Sequence, residues 1–398
     1  PPPPPPPPPP FLMIRRPPRS TPVTPRRQRQ MCIRDRLLAA ADGQPVDISI
    51  VEAGDRVGGV LQTTTIGDFT VEKSADMFTI DPHAAIELCH ELGIENELLT
   101  AKPTTNRAYV ATADGMEPIP QGFSLMYPGD IDAVLASKIL SDKGKTRFLQ
   151  EEFVPASDQS DDESLESFAV RRFGQEVFER LIQPLASGIY TADPKKLSMR
   201  STMDRFLKLE REHGSLIAAS KKAAANQPIG AGPTPTSGAR YGLFRAPMNG
   251  IGDLVHRLVD RLASSGVSIC LNHPVSKVRQ HSGRSAFTVE TSTTDSRATN
   301  SLECDGLILA TPADVSASLL RGLSGSSSNL ALPQLDSIQT ASSAIVILSV
   351  EKSQLGRPDF GGYGIIVPTS LGRKAIAVSF ASNKFDGRAP ASHHLIRV

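Results

Sequence analysis

The stretch VDISIVEAGDRVGG, Val46–Gly59, decides how the fold of this chain is interpreted. It begins with a short β-branched apolar run that ends on the acidic residue Glu52. A buried parallel strand that ends on a carboxylate is typical of sheets that bind the ribose of a dinucleotide. The glycines Gly58 and Gly59 follow Arg56, and glycine lets a backbone approach a phosphate closely. An ordinary strand and turn would give the same pattern, so the stretch alone leaves both interpretations open.

The residues upstream do not supply the usual partner of such a strand. A G-x-G-x-x-G turn is expected about 20 residues before the ribose acid, and none occurs there. Residues 1–36 occupy that place, with ten consecutive prolines and then eight Arg against one Asp. A proline-rich interaction tail and an Arg-rich transit-like peptide are two interpretations of this segment. We prefer a third, a non-native tail translated from adapter sequence, and exclude residues 1–36 from fold reasoning.

The charge balance argues against a nucleic-acid partner. The chain has 398 residues, with 43 Lys and Arg against 42 Asp and Glu. Eight of these basic residues and one acid lie in residues 1–36, which leaves 35 against 41 and a net charge of −6. The basic character therefore belongs to the tail. No apolar run approaches 18 residues, and the four cysteines have no CxxC spacing, so we expect a cytoplasmic protein without a metal site.

Local patterns predict the following elements. Residues 60–80 alternate like two strands around a Gly67-Asp68 turn, and Asp81-Pro82 opens a helix that stops at Gly93. Residues 106–120 read as a hairpin, and residues 130–225 are mainly helical, with one helix ending at Gly174. Strands are expected at 267–271, 343–350, 362–367 and 375–380, and loops at 227–242 and 324–328.

Three short motifs follow one another here: Arg56-x-Gly58-Gly59, Phe69-x-x-Glu72 and Asp76-x-Phe78. Together they resemble the flavin-binding start of the amine-oxidase-like flavoprotein superfamily. The block RRFGQEVFERLIQPLASGIYTADPKKLSMRSTMDRFLKLEREHGSLI, Arg171–Ile217, is more specific. It resembles the oxygen-dependent protoporphyrinogen oxidases within that superfamily. Ala192 stands where their pattern has Gly.

The resemblance implies FAD as the cofactor. The residues it implies for FAD binding are Glu52, Arg56, Gly58, Gly59, Ser74, Ala75, Asp76, Met77, Val275, Ala310 and Thr311. In this family the acid contacts the ribose, the Arg-Gly-Gly turn lies along the pyrophosphate, and the segment 74–77 lies near the flavin ring. Residues 307–312, LILATP, resemble the family's strand and turn that return to the cofactor. Ser74-Ala75 replaces the family's usual Gly-Pro. No side chain is assigned as a catalytic acid or base, since the redox chemistry belongs to the cofactor.

The same resemblance implies the substrate contacts. The stretch Asn106-Arg107 is similar to a family strand whose Arg pairs with a substrate propionate, and a guanidinium suits a carboxylate. Gly362–Pro368, GYGIIVP, and the stretch SNKFDGRAP that contains Phe385 resemble two later family motifs. Ile365 or Ile366 would sandwich the tetrapyrrole with Phe385. From the residues alone, each of these apolar side chains would be assigned to the core.

The implied fold is α/β with α+β parts. A Rossmann-like FAD-binding domain (37–84 and 241–315) is interleaved with a helical, membrane-associating domain (85–104 and 132–226) and a mixed-sheet substrate domain (105–131 and 316–398). The resemblance further implies that the FAD-binding and substrate domains are incomplete, because family segments expected at both ends are not found.

The implied activity is oxidation of protoporphyrinogen IX to protoporphyrin IX with oxygen as acceptor, in heme biosynthesis. Two alternatives stay open: coproporphyrinogen III as the substrate, or an inactive fragment that does not hold FAD. Peripheral attachment to the inner face of the cell membrane and a homodimer also stay open.

Overall fold

The computed structural model describes residues 46–81, 83–102, 107–157, 161–225, 244–281, 286–293, 296–321, 323, 332–340, 342–355 and 360–398. The tail 1–36 and the loops expected at 227–242 and 324–328 lie outside these ranges.

The strands are β1 Ser49–Val51, β2 Thr63–Ile66, β3 Phe69–Glu72, β4 Phe78–Thr79, β5 Leu98–Thr100, β6 Ala108–Thr112, β7 Gly115–Pro118, β8 Phe123–Ser124, β9 Tyr127–Pro128, β10 Phe244–Pro247, β11 Ser268–Cys270, β12 Val275–Gln280, β13 Phe287–Thr293, β14 Ser296–Cys304, β15 Ile347–Glu351, β16 Gly364–Ile366, β17 Ala377–Phe380 and β18 His393–Arg397. The helices are α1 Ala84–Glu91, α2 Ile131–Ala136, α3 Asp142–Leu149, α4 Leu165–Phe173, α5 Gln175–Val177, α6 Gln183–Tyr190, α7 Met199–Thr202, α8 Asp204–His213, α9 Leu216–Ala225, α10 Ile251–Ser264, α11 Ala313–Leu320 and α12 Ala381–Lys384. A π-helical turn, Phe178–Ile182, joins α5 to α6.

The first of two compact units comprises residues 1–62, 87–95 and 251–340, as far as they are described. Its β1 pairs in parallel with β11, with Ser49 opposite Ser268. Strands β12, β13 and β14 form a separate antiparallel sheet. The helix α10 buries one apolar stripe, which includes Leu254, Leu258 and Leu262, as expected for an amphipathic helix.

The strand that the resemblance implies within residues 307–312 does not form. Residues 306–310 pair with no described strand. Leu307 is nevertheless buried, in a cluster that includes Val278 and Leu319. The apolar pattern therefore identified buried residues correctly, but it could not supply the neighbouring strand that a parallel pairing requires.

The second unit comprises residues 63–86, 96–250 and 341–398, as far as they are described. Its main sheet has the order β15-β18-β17-β16-β6-β7, in which β16 runs parallel to β6. Ala108 and Val110 of β6 are buried in one core with helical residues such as Phe168 and Leu181. This sheet, covered on one face by helices, carries the substrate residues that the resemblance implies.

The predicted turns and helix ends are confirmed. Strands β2 and β3 form a hairpin in which Ile66 pairs with Phe69 across the Gly67-Asp68 turn. Helix α1 ends two residues before Gly93, which has a positive φ of 71°. Helix α4 ends at Gly174, where φ is 88°. Glycine adopts this left-handed conformation without a Cβ penalty, so it marks these ends in the sequence.

A buried ion cluster joins the segments of the Arg171–Ile217 block. Arg172 is fully buried, and its Nε donates to Glu151 Oε1 over 2.7 Å. Arg172 Nη1 also reaches Glu210 Oε1 at 3.2 Å. Glu151 accepts hydrogen bonds from the backbone N–H groups of Leu216 and Ile217, both at 3.0 Å. Glu151 therefore caps α9 with a negative charge, where exposed N–H groups and the helix dipole favour one.

Candidate functional site

Glu52 lies directly after β1, at the carboxyl end of the parallel pair. Its backbone N–H donates to Cys270 O over 2.9 Å, and its Oε1 accepts from Gly54 N over 2.8 Å. The other carboxylate oxygen accepts no hydrogen bond from the described residues. The carboxylate is thus held by its own turn with one oxygen left over, which fits the ribose hydroxyls of FAD at this position.

Arg56 and the two glycines form the turn that follows. The guanidinium of Arg56 donates to Val57 O over 3.1 Å and also to Gly59 O. Gly58 has a φ of 84°, and a Cβ added there would lie 2.8 Å from Val255 Cγ1 of α10. Glycine is therefore required for packing the turn against a helix, a reason that the sequence pattern did not reveal. The same absence of side chains leaves the turn backbone open to a phosphate.

Substituting Gly58 by Ala is expected to lower the stability of the first unit and the affinity of the protein for FAD. The left-handed conformation costs about 1–2 kcal/mol for an L-residue, and the collision with Val255 adds to it. Gly93→Ala is the matched control, because Gly93 has a φ of 71° with nothing within 4 Å of an added Cβ. Thermal unfolding and FAD titration of both variants check this. Equal losses in both variants would contradict a packing role for Gly58.

The other residues implied for the first unit lie on two of its elements, the strand β12 and the segment before α11. Val275 opens β12 and packs beside the Val278 cluster. Thr311 lies just before α11, and its Oγ1 is 2.7 Å from Ser316 Oγ. Ala310 is half-buried beside it. These contacts give Thr311 a local role at the start of α11 and leave its flavin contact a prediction.

The segment 74–77 lies in the second unit, between β3 and β4, and its centre is a buried carboxylate. Asp76 Oδ2 is 3.1 Å from Lys384 Nζ and 2.9 Å from Arg397 Nη1. Arg397 Nη2 also donates to the carbonyl of Ser74. Met77 packs against a cluster that contains Tyr363 and Phe385.

The ionisation of Asp76 depends on these cations. Burial alone would raise the pKa of Asp76, but the charges and hydrogen bonds of Lys384 and Arg397 hold it below its usual 3.8. Because the pKa is lower in the folded state, Asp76 stabilises the fold above its unfolded pKa. That contribution is lost as the pH falls through the folded value.

The sequence interpretation missed Lys384 and Arg397 as partners of this segment. Lys384 stands within the SNKFDGRAP stretch that was quoted for the resemblance, but without a role. Only the folded structure brings the two cations to Asp76.

The implied substrate residues on and beside β6 and β16 are Arg107, Ile365 and Ile366. Arg107 is exposed and directly precedes β6, and its carbonyl accepts from Tyr363 N over 2.7 Å. Ile365 pairs with Tyr109, and Ile366 pairs with Val110. Because neighbouring strand residues point to opposite faces, Ile365 and Ile366 cannot both contact one bound ring. Ile366 faces the helical core, where it lies near Gly188.

Phe385 is 1% exposed and belongs to the cluster with Met77, Tyr363 and Ala246. The guanidinium carbon of Arg388 lies 5.8 Å from the centre of its ring. The structure therefore places Phe385 in a core beside the segment 74–77. Its contact with a tetrapyrrole stays a prediction.

Comparison with known proteins decides the family. A family model described as flavin containing amine oxidoreductase matches residues 36–398. The chain belongs to this family. This flavin containing amine oxidoreductase is thus an FAD-dependent oxidoreductase of the mixed α/β class, as the motifs around Glu52 implied.

Several relatives of this flavin oxidoreductase have porphyrinogen names. The coproporphyrinogen III oxidase of Bacillus subtilis (strain 168) is 30% identical over 353 residues, covering 89% of this chain and 70% of the relative. The chloroplastic protoporphyrinogen oxidase 1 of Spinacia oleracea is 27% identical over 384 residues, covering 92% and 63%. The chain thus spans less than two thirds of the spinach protein.

A solved structure shows the same fold. A crystal structure from Exiguobacterium sp. 255-15, provisionally described as a protoporphyrinogen oxidase, superposes with a TM-score of 0.71 at 24% identity, covering 88% of this chain and 70% of the other. Within the described residues of our flavin oxidoreductase, none of the helices has the length and apolarity that a membrane crossing requires.

Proposed function

We propose that this flavin oxidoreductase converts protoporphyrinogen IX to protoporphyrin IX with oxygen as the electron acceptor. The observation that carries the proposal is the match to porphyrinogen oxidases over about nine tenths of the chain, 89% for the B. subtilis relative and 92% for the spinach relative. The reaction removes six hydrogen atoms from the substrate in three two-electron steps and produces three molecules of hydrogen peroxide from three of oxygen. Bound FAD supplies the hydride acceptor for each step.

The residues of this chain would bind FAD and the porphyrinogen and orient them relative to each other. Glu52 and the turn at Gly58 would hold the nucleotide end of FAD, and residues 74–77 would lie beside its ring. Arg107 would pair with a propionate, because an exposed guanidinium beside a sheet can receive a carboxylate in two hydrogen bonds. One of the two isoleucines, Ile365 or Ile366, would pack on the macrocycle. Peripheral attachment of the protein to a membrane surface and its assembly as a homodimer are part of the same proposal.

Coproporphyrinogen III is the second candidate substrate, because the B. subtilis relative is named for its oxidation. That substrate has four carboxylates where protoporphyrinogen has two, so it would need additional cations beside Arg107.

The test is turnover of the two porphyrinogens by the full, FAD-loaded chain. Porphyrin fluorescence and peroxide release are measured side by side at equal substrate concentration. We expect a higher kcat/KM for protoporphyrinogen IX. A higher value for coproporphyrinogen III would transfer the assignment to the second candidate. Bound FAD without turnover of either porphyrinogen would refute both.

A further inference from the structure

We propose that Asp76, Lys384 and Arg397 form a clamp that positions the segment 74–77 against the flavin. All three would be positioning residues for FAD. The inference rests on the proposed function, and in particular on the segment 74–77 as the one that contacts the ring.

The clamp holds the segment at two points. Asp76 Oδ2 lies between Lys384 Nζ at 3.1 Å and Arg397 Nη1 at 2.9 Å. Arg397 Nη2 donates in addition to Ser74 O, two residues earlier. One guanidinium thus fixes both a side chain and a backbone carbonyl of the segment. A planar guanidinium suits this task, because its donors have a fixed geometry.

The two cations come from elements that are themselves fixed. Arg397 ends β18, which pairs with both β15 and β17 of the main sheet. Lys384 ends α12, and Leu395 N of β18 donates to Ser382 Oγ of α12 over 3.2 Å. The clamp therefore holds the segment in place against β18 and α12, which are themselves held by the sheet.

Apart from the packing of Met77 against the cluster with Tyr363 and Phe385, the segment has little other support. In the described structure, no backbone hydrogen bond to another element holds residues 73–77 between β3 and β4. The clamp side chains are only 9–12% exposed. Burying charges costs several kcal/mol per ion, so buried ion pairs contribute little net stability. The clamp instead fixes the position of this irregular segment through directional hydrogen bonds, which apolar side chains do not make.

Two buried polar atoms in and beside the clamp lack a hydrogen-bond partner within the described residues. These atoms are Ser74 Oγ and Arg397 Nε. Arg397 and Asp76 line a small cavity together with Glu72, Phe385 and Arg388. Polar atoms of this kind belong with a bound polar group or an ordered water.

The test compares two isosteric carboxylate-to-amide variants of the full chain. Asp76→Asn removes the charge of the clamp, whereas Glu151→Gln removes a charge that is even more deeply buried, in the ion cluster around Arg172. FAD is titrated into each apoprotein, and flavin fluorescence, the flavin absorption band and thermal unfolding are recorded. We expect both variants to unfold at lower temperature. Only Asp76→Asn should weaken FAD binding, by about tenfold or more, and shift the absorption band.

A second variant keeps the test decisive if Asp76→Asn does not fold. Arg397→Lys preserves a positive charge beside Asp76 but removes one of the two donors. We expect it to fold and to shift the flavin band in the same direction as Asp76→Asn. A folded Arg397→Lys protein with the wild-type band and FAD affinity would refute the clamp.

Two further outcomes would also overturn it: equal loss of FAD affinity in Glu151→Gln, and a wild-type chain that binds no FAD. Porphyrinogen turnover by the wild type is scored separately. The wild type could bind FAD without oxidising either porphyrinogen, while only Asp76→Asn loses FAD affinity. That combination would support the clamp and reject the proposed substrate.

Discussion

Replacing Arg172 by Met is expected to lower the free energy of unfolding by about 3–5 kcal/mol, since removal of one partner leaves a buried charge uncompensated. The partner is Glu151, which is also fully buried. Arg172 additionally donates to the carbonyls of Val154 and Gly214, at 2.8 and 3.1 Å. Those acceptors would be left without their donor in the variant. Urea or thermal unfolding of the full chain measures the loss.

Lys208→Met is the matched control, because it removes a positive charge from the same block. Lys208 pairs with Asp204 at 2.8 Å, but its side chain is 60% exposed. An exposed pair of this kind contributes about 0.5 kcal/mol or less. Similar losses in the two variants would show that burial of Arg172 does not decide the stability of the block.

Replacing Arg107 by Ala is expected to raise the KM for the porphyrinogen about 10- to 100-fold. A hydrogen bond to a charged group contributes about 1.5–3 kcal/mol, and every 1.4 kcal/mol corresponds to about a factor of ten. We expect kcat to change much less, because a propionate contact is made equally in the bound substrate and in the transition state. Steady-state kinetics with both porphyrinogens measure the two constants.

Arg279→Ala controls for the loss of a surface arginine. Arg279 is 57% exposed on β12 in the other unit, where it pairs with Glu290 at 2.6 Å. We expect its KM to match the wild type. An unchanged KM in Arg107→Ala would refute the propionate contact, and a fall in kcat alone would assign Arg107 a different role.

Local patterns predicted much of the fold. The hairpin at Gly67-Asp68 and the helix ends at Gly93 and Gly174 formed where expected, because glycine, capping and apolar periodicity act over a few residues. The strand that the resemblance implied within 307–312 did not form, since a strand needs a partner that its own residues do not encode. The short helix α12 was not predicted.

The candidate site was predictable in its residues but not in its contacts. Glu52 ends a parallel strand, as its position after an apolar run indicated. The partner of Asp76, by contrast, lies 308 positions further along the chain at Lys384. No local periodicity carries information about such a pair, so nothing in the sequence pointed to it except that Lys384 lies within a quoted motif.

The amino-acid sequence by itself determined the family, because the Arg171–Ile217 block and the glycine turn near Gly58 are patterns of residue identity. It also determined most of the helical and extended segments, with the exceptions of the strand at 307–312 and the short helix α12. The tertiary structure alone decided that Ile366 faces the helical core, that Phe385 is buried, and that Arg397 and Lys384 enclose Asp76. The physical reason is that strand register and long-range ion pairs depend on neighbours brought together only by folding.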